Sequence, residues 1–129
     1  GHVTSLQQAA SHGDVLIAGI NSDSGVRRLK GEGRPVICQQ DRAALLAALA
    51  CVDHVIIFDE DTPRQLLHAI RPDVLVKGGT YADNEVIGHE VVKAYGGSVC
   101  VTAVGEGIST TQILKSLPLR TPQRSLHAA

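Results

Sequence analysis

The sequence predicts an α/β fold: a Rossmann-like, doubly wound parallel sheet. Three observations predict it. Runs rich in Val and Ile recur along the chain, helix-patterned stretches alternate with them, and the apolar character inside each run is continuous. Continuous runs suit strands covered on both faces, and alternation of strands with crossover helices supplies the cover. With 129 residues and 43% hydrophobic content, the chain is one domain by size and can bury a sizeable core.

The elements follow in order. A helix is expected over Thr4 to Ser11, then a strand over Val15 to Ile20. Asp41 to Ala50 reads as the next helix and His54 to Phe58 as the second strand. Pro63 to Ile70 is a well-punctuated helix: Thr62 stands as N-cap, Pro63 at the first helical position, Gln65 three residues after the cap, and Arg71-Pro72 stops it. Asp73 to Val76 forms the third strand, Gly88 to Tyr95 a helix ended by Gly96-Gly97, and Ser98 to Val104 the fourth strand. Ile113, Leu114 and Leu117 then repeat at helical spacing, with Ser109 as cap and Gln112 reaching back to it. The domain therefore spans residues 1–117, and the polar, aperiodic residues 118–129 read as a flexible tail.

Composition narrows the function. A net charge of −1 exerts no global pull on nucleic acid or membranes, so anion binding has to come from local clustering. Arg27, Arg28, Lys30, Arg34 and Arg42 provide such a cluster, while acids gather at Asp59-Glu60-Asp61. The cluster is either a solvated face or a socket for several phosphates. With no Trp, one Phe and two Tyr, platforms for stacking single-stranded nucleic acid are scarce, which argues against a nucleic-acid partner. No apolar stretch is long enough to span a membrane, and no signal-peptide pattern is visible. Cys38, Cys51 and Cys100 lack metal-ligand spacing and lie in or beside apolar runs, reading as reduced core or near-core thiols of a cytoplasmic protein.

In a doubly wound sheet, ligands bind beyond the carboxyl ends of the strands, so the loops after Ile20, Phe58, Lys77 and Val104 are expected to share one rim. Three of them carry suitable residues. Asn21-Ser22-Asp23 leads into the basic segment, Lys77 precedes Gly78-Gly79, and Gly107-Ile108-Ser109-Thr110-Thr111 opens the last helix. Unpaired amides and the positive end of a helix dipole at Ser109 suit a polyphosphate; an ordinary capped helix after a glycine turn is the alternative. The paired glycines equally serve as a turn, but a lysine ending a strand sends its ammonium into the rim.

These residues, together with Arg28-Leu29-Lys30-Gly31-Glu32-Gly33-Arg34-Pro35, Asp41-Arg42, Val52-Asp53 and Asp61-Thr62-Pro63, resemble the nucleotidyltransferase superfamily, and more narrowly the adenylyltransferase domain of ADP-heptose synthases. The resemblance runs in register from residue 1 to about 117. It implies ATP and a sugar phosphate, D-glycero-β-D-manno-heptose 1-phosphate, as substrates, Mg²⁺ as cofactor, and ADP-heptose and pyrophosphate as products, for lipopolysaccharide core synthesis. Members of this family carry a His-x-Gly-His sequence after their first strand. Gly1-His2 matches its second half, so the resemblance places the family's first strand upstream of Gly1 and makes His2 a catalytic histidine contacting phosphate. It implies catalytic roles for Lys30 and Lys77 as well, and nucleotide or phosphate contacts from Gly1, Asn21, Asp23, Arg34, Arg42, Gly78, Gly79, Ser109, Thr110 and Thr111. No protein metal ligands are implied.

The family's central strand being upstream, the remaining sheet is expected to carry a gap with unpaired backbone on both sides. The segment from Arg27 to Arg34 is expected to be mobile until phosphates arrive, because its charges repel. His12, His54, His68, His89 and His127 read as surface or structural. Many relatives are fused to a sugar kinase, and a twofold dimer is the expected assembly. Two alternatives stay open. One is a cytidylyltransferase acting on a polyol or aminoalcohol phosphate, opposed by Val104 where those enzymes carry an arginine and by Gly79-Thr80-Tyr81 where they carry an acidic pair with tryptophan. The other is a non-catalytic nucleotide-binding module, motivated by the incomplete histidine motif and by Thr80, where many heptose-type members have Asp.

Overall fold

The computed structural model describes residues 2–102. Four strands pair in two parallel couples. β1 (Ile17–Asn21) runs beside β2 (His54–Phe58), and β3 (Val74–Gly78) beside β4 (Ser98–Thr102). The registers place Asn21 opposite Phe58 and Gly78 opposite Thr102, so each couple ends evenly at its carboxyl edge. The helices are α1 (His2–Ala10), α2 (Asp23–Lys30), α3 (Gln39–Ala47), α4 (Arg64–Ile70) and α5 (His89–Ala94), with a 3₁₀ turn at Asp83–Glu85.

Side-chain alternation shows that the β3–β4 couple is covered on both faces. On one face, Cys100 Sγ lies 3.4 Å from His12 Nε2, just past α1, and a Cβ on Gly78 would stand 3.3 Å from Ser5 Oγ of α1. On the other, Leu75 packs with Leu67 of α4, Val91 and Val92 of α5, and Tyr95. Val92 is fully buried. The β1–β2 couple has α4 on one face, where Leu66 Cδ2 would stand 3.2 Å from a Cβ on Gly19, and α3 packed against both of its strands. Consecutive residues of α4, Leu66 and Leu67, therefore address the two couples separately. The α/β class and the parallel winding match the sequence expectation.

Among the described residues, β1 and β3 each pair on one side only. The described strands thus form two separate couples. That division corrects another expectation. The continuous Val/Ile runs read as fully buried strands, but Ile17 and Ile57 remain 36% and 38% exposed. Among the described residues every strand has one in-plane neighbour, and such a strand keeps a flank open however its faces are covered. Cys38 is likewise exposed, at the N-cap of α3, and not a core thiol; Cys51 and Cys100 are half-buried and free.

Local chemistry explains the helix ends. Ser22 Oγ accepts from the Gly25 amide at 3.1 Å and caps α2, which carries Asp23 in its first turn and Arg27, Arg28 and Lys30 in its last. That arrangement complements the helix dipole at both ends. Residues 23–30, to which the sequence assigns no element, are thus helical. At α4 the N-cap is Pro63, with no side-chain cap, and not Thr62; the Pro63 carbonyl accepts from the Leu67 amide at 2.9 Å. After α5 the chain turns at Gly96 (φ 88°), and Gly97 donates to the Val92 carbonyl at 2.9 Å. A Cβ on Gly97 would lie 3.0 Å from the Val92 carbonyl oxygen and 3.1 Å from that of Asp73, so only glycine fits this crossing of two backbones.

Candidate functional site

The carboxyl edge of β3–β4 brings two sequence-predicted motifs together. α1 starts there: Ser5 is next to Gly78, and the helix runs back along the strands to His12 beside Cys100. His2 stands three residues before Ser5, on the same helical face and about one turn above it, beyond the strand ends. Gly79 turns the chain at φ 142° and donates its amide to the Thr102 carbonyl at 3.1 Å. The absence of a side chain at Gly78 leaves a hollow between Ser5 Oγ and Thr102 Oγ1, the latter 3.7 Å from the Cβ position. Thr102 Oγ1 is buried and has no hydrogen-bond partner among the described residues. Lys77 is exposed and, by alternation with Gly78, projects on the face opposite α1. His2 and Lys77 thus flank the end of β3 from its two sides.

The carboxyl edge of β1–β2 is built differently. The Ser22 amide donates to the Phe58 carbonyl at 2.9 Å, extending the ladder by one step and fixing the start of α2 above the edge. Asn21 closes β1, half-buried, on the face that Gly19 shares with α4. Asp23 is held from the first turns of α3. Its amide donates to Gln39 Oε1 at 2.8 Å, and its Oδ1 accepts from Arg42 Nη2 at 3.0 Å. Arg42 Nε also donates to the Ile37 carbonyl at 3.0 Å. Two residues expected to contact nucleotide therefore contact each other. Lys30 is exposed at the end of α2, and Arg34 is half-buried in the connection that follows.

Sequence reasoning missed two features of this edge. The acids after β2, read as a separate cluster, meet the basic helix: Arg28 Nε donates to Asp61 Oδ1 at 2.8 Å and its guanidinium also bonds the Asp59 carbonyl. The helix itself was legible in Ser22 as a cap and in the acid-first, base-last order of α2, but its glycine and clustered charges hid the apolar period. Elsewhere, the hydrogen bond from Arg64 holds the Glu90 carboxyl below its usual range, helped by the backbone at the start of α5. Burial pushes the Tyr95 hydroxyl above its usual range, and that hydroxyl donates to the Pro72 carbonyl at 2.6 Å.

Gly1, Ser109, Thr110 and Thr111 lie outside the described residues, as do the expected last helix and tail. Among the described residues no three His, Cys, Asp or Glu side chains converge on a metal position, and no helix is long and apolar enough to cross a membrane.

Comparison with known proteins adds three findings. A family model described as cytidylyltransferase-like matches residues 1–116. The bifunctional protein HldE of Geobacter sulfurreducens is 55% identical over 117 residues, covering 91% of this chain and 24% of that protein. Its namesake in Helicobacter acinonychis is 49% identical over the same length, with the same coverage. The chain thus spans about a quarter of the length of these relatives. Among solved structures, a lipopolysaccharide core biosynthesis protein from Thermoplasma volcanium shares the fold, with a TM-score of 0.65 at 22% identity, covering 84% of this chain and 87% of that one.

Proposed function

The chain belongs to the cytidylyltransferase-like family, and on that premise we propose that it transfers an adenylyl group from ATP to D-glycero-β-D-manno-heptose 1-phosphate. A phosphate oxygen of the sugar phosphate forms a bond to the α-phosphorus, the bond from that phosphorus to the bridging oxygen of the β-phosphate breaks, and pyrophosphate leaves. The attacking oxygen is already anionic, so the reaction needs no covalent nucleophile. It needs two polyanions aligned in line and the charge on the departing pyrophosphate neutralised.

One observation supports the reading: Ser5, in the first turns of α1, packs at the Gly78-Gly79 turn, and Lys77 precedes that turn on the opposite face. Helix-start amides and an imidazole suit phosphate oxygens, the side-chain-free turn lets a ligand approach the backbone, and Lys77 adds a cation on the other flank. Lys30 and Arg34 supply further charge, and the resemblance adds phosphate contacts from Ser109, Thr110 and Thr111, which lie outside the described residues. Mg²⁺ belongs to this proposal on the substrate side. Bound with the triphosphate, the ion would neutralise charge on the departing pyrophosphate.

The choice of heptose phosphate and ATP rests on the resemblance of the rim motifs, supported by the bifunctional HldE relatives; a sugar kinase, as a domain or a partner enzyme, belongs to the same proposal. The family's description favours CTP as a second reading. Pyrophosphate release measured with ATP and with CTP, across heptose 1-phosphate, glycerol phosphate and other polyol phosphates, decides between them. ATP with heptose 1-phosphate is the expected best pair, and preference for CTP rejects it.

A further inference from the structure

The basic residues of the β1–β2 edge sit on a closed excursion. α2 leaves the edge at Asp23, the chain turns at Gly31 (φ 89°), and residues 31–38 return to α3. The two ends meet at a waist of two hydrogen bonds, Asp23 amide to Gln39 Oε1 and Arg42 Nη2 to Asp23 Oδ1, and Arg42 Nε also ties the Ile37 carbonyl on its own side of the waist. Arg42 donates in two of these three bonds. Its side chain is 22% exposed and that of Asp23 31%, so the pair is partly withdrawn from water. Arg27, Arg28, Lys30 and Arg34 all lie on the excursion between the two ends of the waist.

A guanidinium engaged in this way is poorly placed to bind phosphate. Its charge is offset by the carboxylate at 3.0 Å, and a phosphate reaching it would have to displace Asp23 and leave that carboxylate without its partner. The planar fork suits the task it performs, because two different nitrogens reach two acceptors at once, which a single ammonium cannot reproduce. We propose that Arg42 is a positioning residue, acting through Asp23 and the Ile37 carbonyl to hold the excursion that carries Lys30 and Arg34. The inference rests on the nucleotidyl-transfer reading for its functional consequence, but the waist itself is independent of that reading.

Two measurements test it on Arg42→Ala, Arg42→Lys, Asp23→Ala and the milder Gln39→Ala. Hydrogen exchange of residues 31–38 without nucleotide is expected to accelerate about tenfold in Arg42→Ala and Asp23→Ala, and by less in Arg42→Lys and Gln39→Ala. Nucleotide Kd by calorimetry and steady-state pyrophosphate release are expected to show about tenfold weaker triphosphate binding in both alanine variants, with kcat much less affected. Asp23→Ala is the decisive case. If Arg42 contacts phosphate directly, removing the competing carboxylate tightens triphosphate binding, Arg42→Lys retains affinity, and exchange over 31–38 is unchanged; that pattern overturns the proposal. Should Arg42→Ala fail to fold, Asp23→Ala and Gln39→Ala still decide. If the wild-type protein releases no pyrophosphate with ATP or CTP, the functional reading fails while the exchange data still judge the waist.

Discussion

The two strand couples share a topology but are held together by different forces. The β3–β4 couple is bound by apolar burial: Leu67, Val91 and Val92 are buried, with Leu75 and Tyr95 packed against them. The β1–β2 couple relies more on polar ties, at Asp53 to the Leu16 amide, Arg28 to Asp61, and Asp23 to Gln39 and Arg42, while Ile17, Ile57, Leu29 and Leu45 stay exposed. Burial is non-directional and tolerates the helix and glycine turn set above it. Polar ties are directional, so they can fix where a set of cations sits, at little gain in stability. The comparison separates a packed half that anchors one end of the proposed site from a tied half that places charge around it.

The largest effect expected is on the chemistry at the packed half. Lys77→Ala is expected to lower kcat/KM for pyrophosphate release about 100-fold or more, with a melting temperature close to wild type because the side chain is exposed. A fall in stability without loss of rate would make Lys77 structural and erase the functional half of the contrast. Next come the adjacent leucines of α4. Leu67→Ala is expected to cost about 3 kcal/mol in denaturant unfolding, and Leu66→Ala about half of that, since Leu67 is buried and Leu66 only half-buried. Equal costs would show the two couples to be packed alike. Gly97→Ala is expected to cost about 2 kcal/mol by the same measurement, because the new methyl meets backbone oxygens that cannot move aside. Arg28→Ala should cost less than about 1 kcal/mol, as both partners in its ion pair are about half exposed or more.

The smallest effect concerns pH. Glu90 has a carboxyl pKa lowered from 4.5, chiefly by its hydrogen bond from Arg64. Its contribution is present above the ordinary carboxyl value and is lost as pH falls through the lowered one. Arg64→Ala is expected to move the Glu90 titration upward, readable by carbon NMR of the carboxyl. Tyr95 behaves in the opposite sense: burial raises it above 10.0, so its contribution is intact below that value and is lost as pH climbs through the raised one.

Much of this contrast was legible in the sequence, and the failures share a cause. The four strands and four of the five helices announce themselves through Val/Ile runs, caps and glycine stops, all of which are local signals. The turn at Gly78-Gly79 after Lys77 is legible for the same reason. What escaped detection was relational. Fully buried strands were inferred from apolar runs, but burial at Ile17 and Ile57 depends on in-plane neighbours that no local pattern encodes. The Asp23–Arg42 pair joins residues 19 positions apart, and the meeting of Arg28 with Asp61 spans 33. Local reading placed each of these charges correctly in a cluster and could not say which cluster would neutralise which.

The consecutive leucines of α4 carry a consequence for how this chain can change length. Neighbouring side chains on a helix diverge by about 100°, and Leu66 and Leu67 use that angle to grip β1–β2 and β3–β4 from a single seven-residue segment. Inserting or deleting one residue within α4 would rotate every following side chain by the same angle and throw one leucine out of phase with its couple. α4 therefore behaves as a fixed-pitch coupling whose register cannot drift.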